Sequence, residues 1–465
     1  MGADFKNVVK GFATAASPVM ADLLIHDTVP GEPVLRETGN HFPAPRKVPF
    51  SVYYDPEFAK LEMEKVWKKS WQPAGRVEDL PEIGDRKLYE VGTLSFIIVR
   101  SGEHEFRALQ NACLHRGTRL CSGPSISNSI KCPFHAWEWN LDGSLKNIPS
   151  RWDFPDVKNE NYHLPEAKVG LWGGFIFINP DPNADPLEDY LGVLPKHFSR
   201  RDAEDRYTFV GFRKKLRANW KLAQEAFLEA YHVMETHPNI MSYNSDTGAC
   251  YDIWDDGKAH ISRSITASAV PSGHLGDDAS RLQAAQDSMA VFTKGLIHEV
   301  PKIQSAETGR GEVAQWRRDM MSKVWDVDLS QVSDSGMLDA NEYFMFPNFF
   351  PWWGEGLPLS YTFLPYEDDP NQCIAEFRLL FPIPEHGPRP PAAELIEIDF
   401  DTPIASVPPL GFIASVFDQD FSNAPLVQKG LCSTTNGEQL ITLGRYQECR
   451  ITGFYEVLDR WLAKK

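Results

Sequence analysis

The spacing of apolar and polar residues predicts a helix near the start of the chain, followed by a long β-rich stretch. Residues 55–71 (DPEFAKLEMEKVWKKSW) place apolar side chains at a helical period, with acidic residues first and basic residues last, as the helix dipole prefers. Residues 85–180 are short apolar runs broken by turn signals, and Leu-Asp-Gly at 141–143 predicts a hairpin. The run GLWGGFIFINP at 170–180 predicts one buried strand.

The second half of the chain alternates helical and strand patterns. Residues 219–236 predict a helix that ends before Pro238, and residues 275–330 are also helical and charged. Strands are predicted for EYFMFPNFF (342–350), LSYTFLP (359–365) and CIAEFRLLFPI (373–383), and a last amphipathic helix for 448–465. The six prolines among the first 50 residues suggest an extended N-terminal arm. We find no internal repeat and no GxGxxG sequence that would indicate a nicotinamide or flavin domain.

Composition is that of an ordinary folded protein, with 42% hydrophobic residues in a chain of 465, long enough for two domains. The net charge of −17 argues against nucleic acid and against an anionic membrane surface as partners. No apolar run approaches the roughly 20 residues that cross a bilayer. The N-terminal residues lack the apolar core of a signal peptide, and Lys6 stands where a myristoylation signal needs Ser or Thr. We therefore expect a cytoplasmic protein.

The cysteines indicate metal chemistry and not a disulfide framework. Seven cysteines are too few and too scattered for that framework in a chain of this length. Cys113 and Cys132 each have a histidine close by, whereas Cys121 lies between those two pairs and outside the pattern. Four others are predicted to be buried structural thiols: Cys250, Cys373, Cys432 and Cys449.

The two Cys-His pairs form the first candidate metal site. Cys113-Leu-His115 and Cys132-Pro-Phe-His135 are separated by sixteen residues and fall in the β-rich stretch. Two such pairs could hold zinc or an iron–sulfur cluster. Structural zinc sites usually begin with C-x2–4-C, whereas a Rieske cluster binds one iron through two thiolates and the other through two imidazoles. Each pair here supplies one ligand of each kind, which favours the cluster.

The residues around these pairs resemble the Rieske domain of ring-hydroxylating oxygenases. HRGTRL begins at His115, and HAWEWNLDGSL begins at His135, so that a small residue and Trp follow the second histidine. The resemblance implies a [2Fe–2S] cluster held by Cys113, His115, Cys132 and His135. Imidazole ligands in place of thiolates raise the cluster potential, which suits a cluster that accepts electrons from a ferredoxin.

A second candidate metal site lies on the predicted helix at 219–236. Glu229 and His232 are three residues apart and share a helix face, and His237 comes just before the helix-ending Pro238. An iron that binds oxygen beside a substrate favours two histidines and one carboxylate, with other positions left open. The segment resembles the catalytic motif of Rieske oxygenase α-subunits, which implies mononuclear Fe(II) bound by His232 and His237.

The same resemblance implies a third iron ligand and a bridging carboxylate. The family's aspartate lies far downstream, three residues before an Asn, which matches Asp420 and Asn423; Asp418 is the competing candidate. Glu229 matches the carboxylate that connects a Rieske histidine of one subunit with an iron histidine of its neighbour, although most members have Asp there. A carboxylate that accepts a hydrogen bond from the ring N–H of a metal-binding histidine orients that imidazole. Glu225 is either another such group or a solvated helix residue.

The resemblance covers residues 50–460 and implies an α+β protein. An antiparallel β Rieske [2Fe–2S] domain at 56–182 follows the arm at 1–55. A catalytic domain at 183–465 then has a curved antiparallel sheet with helices, of the helix-grip (START-like) type. The chain has no site for a primary reductant, so electrons must come from an external ferredoxin and/or an NAD(P)H-dependent reductase. Head-to-tail packing in the family implies a homotrimer, with or without β-subunits.

The predicted reaction uses O2 on a small apolar substrate, aromatic or polycyclic, with cis-dihydroxylation favoured. The alternative is a Rieske monooxygenase or oxidative demethylase. A third hypothesis, from a different class, is an electron-transfer Rieske protein without a catalytic iron. The predicted substrate pocket, whose members could equally fill the core, is Phe227, Val233, Asn348, Leu410 and Val416.

Overall fold

The computed structural model of the chain describes residues 14–199, 203–293, 301–407, 410–435 and 438–464. In these residues the strands, numbered in chain order, are β1 (Lys47–Pro49), β2 (Gln72–Arg76), β3 (Asp85–Val91), β4 (Leu94–Gly102), β5 (Glu105–Gln110), β6 (Ser125–Ile126), β7 (Ile130–Lys131), β8 (Glu138–Trp139), β9 (Leu145–Asn147), β10 (Glu166–Trp172), β11 (Phe175–Asn179), β12 (Arg206–Leu216), β13 (Asn244–Asp255), β14 (His260–Ser268), β15 (Ala340–Met345), β16 (Phe349–Trp353), β17 (Leu359–Pro365), β18 (Cys373–Pro382), β19 (Leu395–Ile398) and β20 (Leu440–Thr442). The α-helices are α1 (Met20–His26), α2 (Pro56–Glu62), α3 (Leu187–Leu191), α4 (Leu194–His197), α5 (Trp220–Glu225), α6 (Val233–Thr236), α7 (Arg281–Thr293), α8 (Gly309–Trp325), α9 (Asp334–Leu338), α10 (Gly411–Cys432) and α11 (Cys449–Ala463).

The β-rich stretch forms an antiparallel sheet of seven strands in the order β2-β11-β10-β5-β4-β3-β6, beside a three-stranded sheet β7-β8-β9. The predicted hairpin at 141–143 is confirmed, because β8 pairs antiparallel with β9 across this turn. The prediction of one strand at 170–180 is wrong. Gly173 and Gly174 adopt φ values of 58° and 72°, which only glycine tolerates readily, and they turn the chain into the β10–β11 hairpin.

The second sheet has eight strands in the order β13-β14-β15-β16-β17-β18-β12-β19, and its pairs are antiparallel except β12 with β19. EYFMFPNFF is not one strand but the end of β15 and the start of β16. Because strand side chains alternate between faces, Phe344 and Phe350 join one aromatic core while Tyr343 and Phe349 join another. This second core includes Phe175 of β11, so the two sheets pack against each other.

A buried ion network also ties the two sheets together. The Asp79 carboxylate accepts both Arg378 guanidinium nitrogens at 2.8 Å and the Lys87 ammonium at 2.7 Å. Burial opposes ionisation of Asp79, but Arg378 and Lys87 outweigh it and hold the pKa of this carboxyl well below its usual range. Asp79 lies just after β2 and Arg378 lies on β18, so the network orients the predicted Rieske domain on the catalytic sheet.

The predicted continuous helix at 219–236 is wrong, because α5 ends at Glu225 and α6 begins only at Val233. After α5 the chain tightens, with the N–H groups of Phe227 and Leu228 donating three residues back at 2.9 Å. The Glu229 carboxylate then accepts the backbone N–H of His232 at 3.0 Å, which satisfies a donor that a continuous helix would satisfy internally. The carboxylate that contacts His232 in the candidate site therefore also caps the backbone at this interruption.

Three other predictions from the sequence concern the N-terminal arm, residues 275–330 and Cys432. The arm is not wholly extended, because α1 interrupts it and buries Met20, Leu23 and Leu24. The helical prediction for 275–330 is met by α7 and α8, and residues 294–300 between them lie outside the described residues. Cys432 is exposed, contrary to the prediction, because it lies on the outer side of α10.

No helix in the described part of the chain is both long and apolar enough to cross a bilayer. The residues before position 14, on which the signal-peptide and myristoylation arguments rest, lie outside that part. The cytoplasmic location and the domain boundaries therefore stay predictions.

Candidate active site

The two Cys-His pairs lie on two loops with matching backbone geometry. In each loop the residue four positions after the cysteine donates its N–H to the cysteine carbonyl, Gly117 at 2.8 Å and Ala136 at 3.1 Å. Both residues are in the left-handed region, with φ of 78° and 57°, and this turns each histidine back beside its cysteine. The small residue after His135 is therefore the one that adopts the left-handed conformation in this loop.

The four side chains converge as a cluster site would require. The imidazoles of His115 and His135 are 4.8 Å apart between centroids, and Cys113 and Cys132 are buried beside them. Trp137 stacks on His115 with an interplanar angle of 3°. The Nδ1 atom of His115 is buried and has no hydrogen-bond partner among the described residues, as expected of an atom whose lone pair is kept for a metal. These residues fit a [2Fe–2S] cluster with mixed ligands.

The second candidate site brings together His232, His237 and Asp420, whose ligand atoms all lie within 4.8 Å of one another. The Asp420 Oδ1 atom is 2.8 Å from His237 Nε2 and 3.5 Å from His232 Nε2. Burial lowers the pKa of His232, but the nearby carboxylates Glu229 and Asp420 outweigh it and raise that pKa to about 10. The site is thus a strongly cation-attracting pocket of two nitrogens and one oxygen, which fits Fe(II) with open positions.

Glu229 and Gln419 occupy the Nδ1 atoms of the two histidines. His232 Nδ1 is 2.7 Å from Glu229 Oε1, and His237 Nδ1 is 2.8 Å from Gln419 Oε1. Each contact offers an acceptor to an Nδ1–H group, so that Nε2, which faces Asp420, is the ring nitrogen that would bind a metal. The placement of Glu229 agrees with its predicted role toward His232, while Gln419 was not foreseen from the sequence.

Asp418 does not point toward the histidines. Its two carboxylate oxygens accept the backbone N–H groups of Ile404 at 2.8 Å and Ala405 at 2.9 Å. Asp420 lies two residues later on α10, about 200° further around the helix, and so faces the opposite way. The geometry therefore favours Asp420 over Asp418 as the third ligand.

Glu225 is neither a ligand partner nor a solvated helix residue, the two alternatives that the sequence left open. It is buried and accepts hydrogen bonds from the hydroxyls of Tyr455 at 2.7 Å and Tyr53 at 3.0 Å. Burial raises the pKa of Glu225 to about 7 even though both hydroxyls lower it. Glu225 holds the N-terminal arm region to α5 and α11 and contacts no metal ligand directly.

The predicted pocket residues fall into different surroundings. Phe227 lies at the centre of an aromatic wall, with ring centroids at 5.1–6.3 Å from those of Tyr361, Phe363, Phe377, Phe417 and Phe421. Asn348 is buried and donates to the backbone carbonyl of Phe363 at 3.0 Å. Val233 and Leu410 are buried and Val416 is half-buried. The assignment of these five residues to a substrate pocket stays a prediction.

A buried ion pair that the sequence analysis missed lies at the edge of this wall. Arg450 Nη1 on α11 is 3.0 Å from Glu342 Oε1 on β15, and both side chains are almost fully buried. Glu342 pairs across the sheet with Trp352, whose ring is 5.6 Å from that of Tyr361. Burial raises the pKa of Glu342 to about 7, and the charges of Arg450, His232 and Asp420 also act on it. Glu342 is therefore within electrostatic reach of the iron-type site.

Comparison with known families assigns both halves of the chain. Residues 70–158 match the family model described as Rieske [2Fe-2S] domain. Residues 198–464 match the model described as Ring hydroxylating alpha subunit (catalytic domain). The resemblance noted from the Cys-His pairs and the His-x4-His segment is confirmed.

Two curated relatives are oxygenase subunits of monooxygenases. The chain is 28% identical over 249 residues to the glycine betaine monooxygenase oxygenase subunit of Pseudomonas aeruginosa. The matched region covers 49% of this chain and 57% of that protein. It is 32% identical over 196 residues to the carnitine monooxygenase oxygenase subunit of Escherichia coli, which covers 42% of this chain and 52% of that protein. The chain thus spans about half the length of the curated relatives it matches.

The fold is shared with solved oxygenase structures. A naphthalene 1,2-dioxygenase variant bound to phenanthrene aligns with a TM-score of 0.61 and 17% identity, over 92% of this chain and 95% of that chain. The predicted α+β class is confirmed, with an antiparallel Rieske domain and a curved sheet with helices. At this identity the likeness concerns the fold alone.

Proposed function

The chain belongs to the ring-hydroxylating α-subunit family, and from this premise we propose that it is the terminal oxygenase component of a Rieske oxygenase system. Its two domains are a Rieske [2Fe–2S] domain and an oxygenase catalytic domain of the kind that binds mononuclear iron. Electrons would come from an external ferredoxin or reductase, and O2 would be the oxidant. Glu229, with His232, His237 and Asp420, is the proposed catalytic centre.

When bound, the cluster supplies one-electron transfer and the mononuclear iron supplies activation of O2. The part of the protein is to hold the ligands and the substrate and to exclude competing chemistry. Glu229 and Gln419 keep the protons of His232 and His237 on Nδ1. Phe417 and Phe421 flank Asp420 on α10 and pack toward Phe227, which keeps water away from the carboxylate.

For the reaction, we propose insertion of one oxygen atom, or oxidative demethylation, on a small charged substrate. The single observation that carries this choice is the buried Glu342–Arg450 pair beside the aromatic wall. Sequence analysis had favoured dihydroxylation of an apolar ring. The named activities of the two curated relatives, on glycine betaine and carnitine, also support the monooxygenase alternative.

The location of Glu342 beside the aromatic wall would determine which class of substrate the site favours. Removing two charges from water costs several kcal/mol for each, and a role in binding a polar substrate would account for keeping them beside the aromatic wall. Arg450 donates hydrogen bonds to Ser262 at 3.0 Å and Ser264 at 2.9 Å, while its buried Nη2 atom has no partner in the part of the chain that the structure describes. Polar groups of a bound substrate would satisfy such atoms.

The rings next to Glu342 favour a cationic substrate group. Trp352 and Tyr361 lie side by side on the same sheet face as Glu342, between it and Phe227. Aromatic faces attract ammonium ions, most strongly where water is excluded. A carboxylate at the edge of such a wall adds charge complementarity. The cationic group of an N-methylated ammonium compound would be attracted both by these aromatic faces and by this carboxylate.

Product analysis under 18O2 tests the proposed reaction. The purified chain, reduced through a surrogate reductase, is incubated with glycine betaine, carnitine, choline, an aromatic acid and naphthalene. Formaldehyde release, or a product with one labelled oxygen, from a charged substrate supports the proposal. A diol with two labelled oxygens from naphthalene, with no turnover of the charged compounds, overturns it.

Cis-dihydroxylation of an aromatic ring remains the second candidate function. The observation that favours it is the aromatic wall around Phe227, which offers stacking partners to a flat ring. In the same assay this candidate requires two labelled oxygens in one product molecule, and a product with a single label excludes it.

We also propose that the working unit is a homotrimer in which Glu229 connects the Rieske histidine His135 of one subunit with His232 of the next. The side chain of Glu229 already contacts His232, and Phe134 beside His135 is 58% exposed. An exposed ring at the tip of a domain suits burial against a neighbouring subunit. Sedimentation of the intact chain tests the assembly.

A further inference from the structure

His237 is held from both sides by two consecutive residues of α10. Gln419 Oε1 lies 2.8 Å from its Nδ1 atom, and Asp420 Oδ1 lies 2.8 Å from its Nε2 atom. Consecutive side chains on a helix diverge by about 100°, so the imidazole lies between them. Gln419 therefore contacts Nδ1 of His237, while Asp420 contacts Nε2 of the same ring.

The back of the other histidine is held differently. His232 Nδ1 contacts the Glu229 carboxylate at 2.7 Å, so its partner is charged, whereas the partner of His237 is a neutral amide. A second carboxylate at position 419 would stand beside Asp420, near Glu342 and Glu229, and like charges at such distances repel. An amide accepts the same hydrogen bond without adding charge.

We propose that Gln419 is a positioning residue that fixes the tautomer and ring orientation of His237 toward the iron. This inference rests on the proposed iron site. The amide oxygen of Gln419 accepts from Nδ1–H of His237, and Nε2, which faces Asp420 Oδ1, is then the ring nitrogen that would bind the metal. Without that acceptor the ring can rotate or carry its proton on Nε2, where it cannot bind a metal.

The length of the Gln419 side chain determines whether it reaches His237. Residue 419 lies on α10. Its acceptor oxygen is bonded to the third side-chain carbon, Cδ, and from there it reaches Nδ1 of His237 at 2.8 Å. Asn or Asp at this position would be one methylene shorter. Glutamate would keep the reach and the acceptor while adding charge. Leucine would keep most of the volume and remove the acceptor.

Fe(II) binding to the chain with its cluster intact tests the inference. The mononuclear site is emptied by chelation and titrated anaerobically with Fe(II) for wild type, Gln419→Leu, Gln419→Glu and the control Ser422→Ala on the exposed side of the same helix. We expect Gln419→Leu to weaken binding about 10- to 100-fold. The affinity of Gln419→Glu for Fe(II) should lie within about tenfold of that of wild type, because the acceptor is kept. The affinity of the control Ser422→Ala should equal that of wild type.

A second readout separates positioning from general damage. The EPR signal of the Fe(II)–nitric oxide adduct should broaden in Gln419→Leu, since His237 then samples more than one orientation, while the thermal midpoint stays near that of wild type. If the Leu variant does not fold, Gln419→Met, which keeps chain length without an acceptor, replaces it.

The outcomes distinguish this inference from the proposed function. Wild-type binding and a wild-type EPR signal in the Leu and Met variants overturn the role of Gln419 and leave the iron site standing. A wild-type chain that takes up no Fe(II) beyond its cluster overturns the proposed iron site and the inference with it.

Discussion

Asp418 and Asp420 lie two residues apart on α10 and serve different partners. The Asp418 carboxylate accepts the backbone N–H groups of Ile404 and Ala405, whereas Asp420 Oδ1 lies 2.8 Å from His237 Nε2. One aspartate therefore anchors a loop to the helix, and the other lies beside the two histidines of the proposed iron site. The pair offers a matched comparison, because both are aspartates in the same helix.

We expect Asp420→Ala to lose the mononuclear iron and keep the cluster, so that iron falls from about three to about two per chain. Asp418→Ala should keep all of its iron and lose about 1 kcal/mol of stability, since two backbone donors lose their acceptor. Iron analysis and thermal midpoints measure both effects.

His232→Ala extends this comparison to a histidine ligand. It should also lower the iron content to about two per chain. If wild type and this variant hold equal iron, the catalytic proposal is wrong and the electron-transfer hypothesis takes its place.

His115→Ala should abolish the visible absorption of the Rieske cluster, because the buried Nδ1 atom of His115 is a proposed iron ligand. Cys121→Ser is the control, since Cys121 donates to the carbonyl of Gly123 at 2.9 Å and lies outside the ligand set. Its spectrum should equal that of wild type. A spectrum lost in Cys121→Ser but kept in His115→Ala would require a different ligand assignment.

Glu225 should make stability depend on pH near neutrality. Its pKa is about 7 in the folded chain against an ordinary value of 4.5, so the unfolded state loses its proton first as pH rises. The free energy of unfolding therefore falls between about pH 4.5 and pH 7, relative to a residue that does not titrate. Lys221 opposes this shift and Glu448 adds to it.

Glu225→Gln removes this dependence and keeps an acceptor for Tyr53 and Tyr455. The stability of the variant relative to wild type should rise by about 1–3 kcal/mol between pH 5 and pH 8. Thermal midpoints across that range measure it. Parallel curves for the two proteins would show that Glu225 does not titrate in this window.

Glu342→Gln should discriminate against cationic substrates while leaving an oxygen for Arg450. We expect kcat/KM for an N-methylated ammonium substrate to fall about tenfold or more, because a desolvated charge loses its counter-charge. The matched control is the uncharged tert-butyl analogue, whose oxidation should change little. Equal losses for both compounds would contradict a role in charge recognition.

Glu229→Gln should slow electron transfer between subunits without dissolving the trimer. The amide keeps one acceptor but cannot accept from two imidazole N–H groups as a carboxylate does. We expect reoxidation of the reduced cluster in a single turnover to slow about tenfold or more, at unchanged iron content. Stopped-flow absorbance follows the cluster. Unchanged rates in a trimeric variant would remove Glu229 from the path.

The local sequence was sufficient to propose the Rieske-type ligands. Cys113 and His115, like Cys132 and His135, are one or two residues apart, so each pair shares a loop in any fold. His232 and His237 were found for the same reason, although the helix that was predicted to carry them is interrupted. At the interruption the Glu229 carboxylate accepts the backbone N–H of His232, and the periodicity of apolar residues does not predict such a bond.

Only the tertiary structure decided which distant residues meet these ligands. Asp420 is 183 residues from His237, and their contact depends on how α10 lies across the sheet. Glu342 and Arg450 are 108 residues apart and belong to a strand and a helix that the sequence treats as unrelated. Spacing along a chain encodes neighbours within a turn or a hairpin, whereas these contacts arise from packing of whole elements. The sequence therefore determined which residue types are available as ligands, and the tertiary structure decided which aspartate lies beside the histidines, what supports His237 and which charges lie beside the aromatic wall.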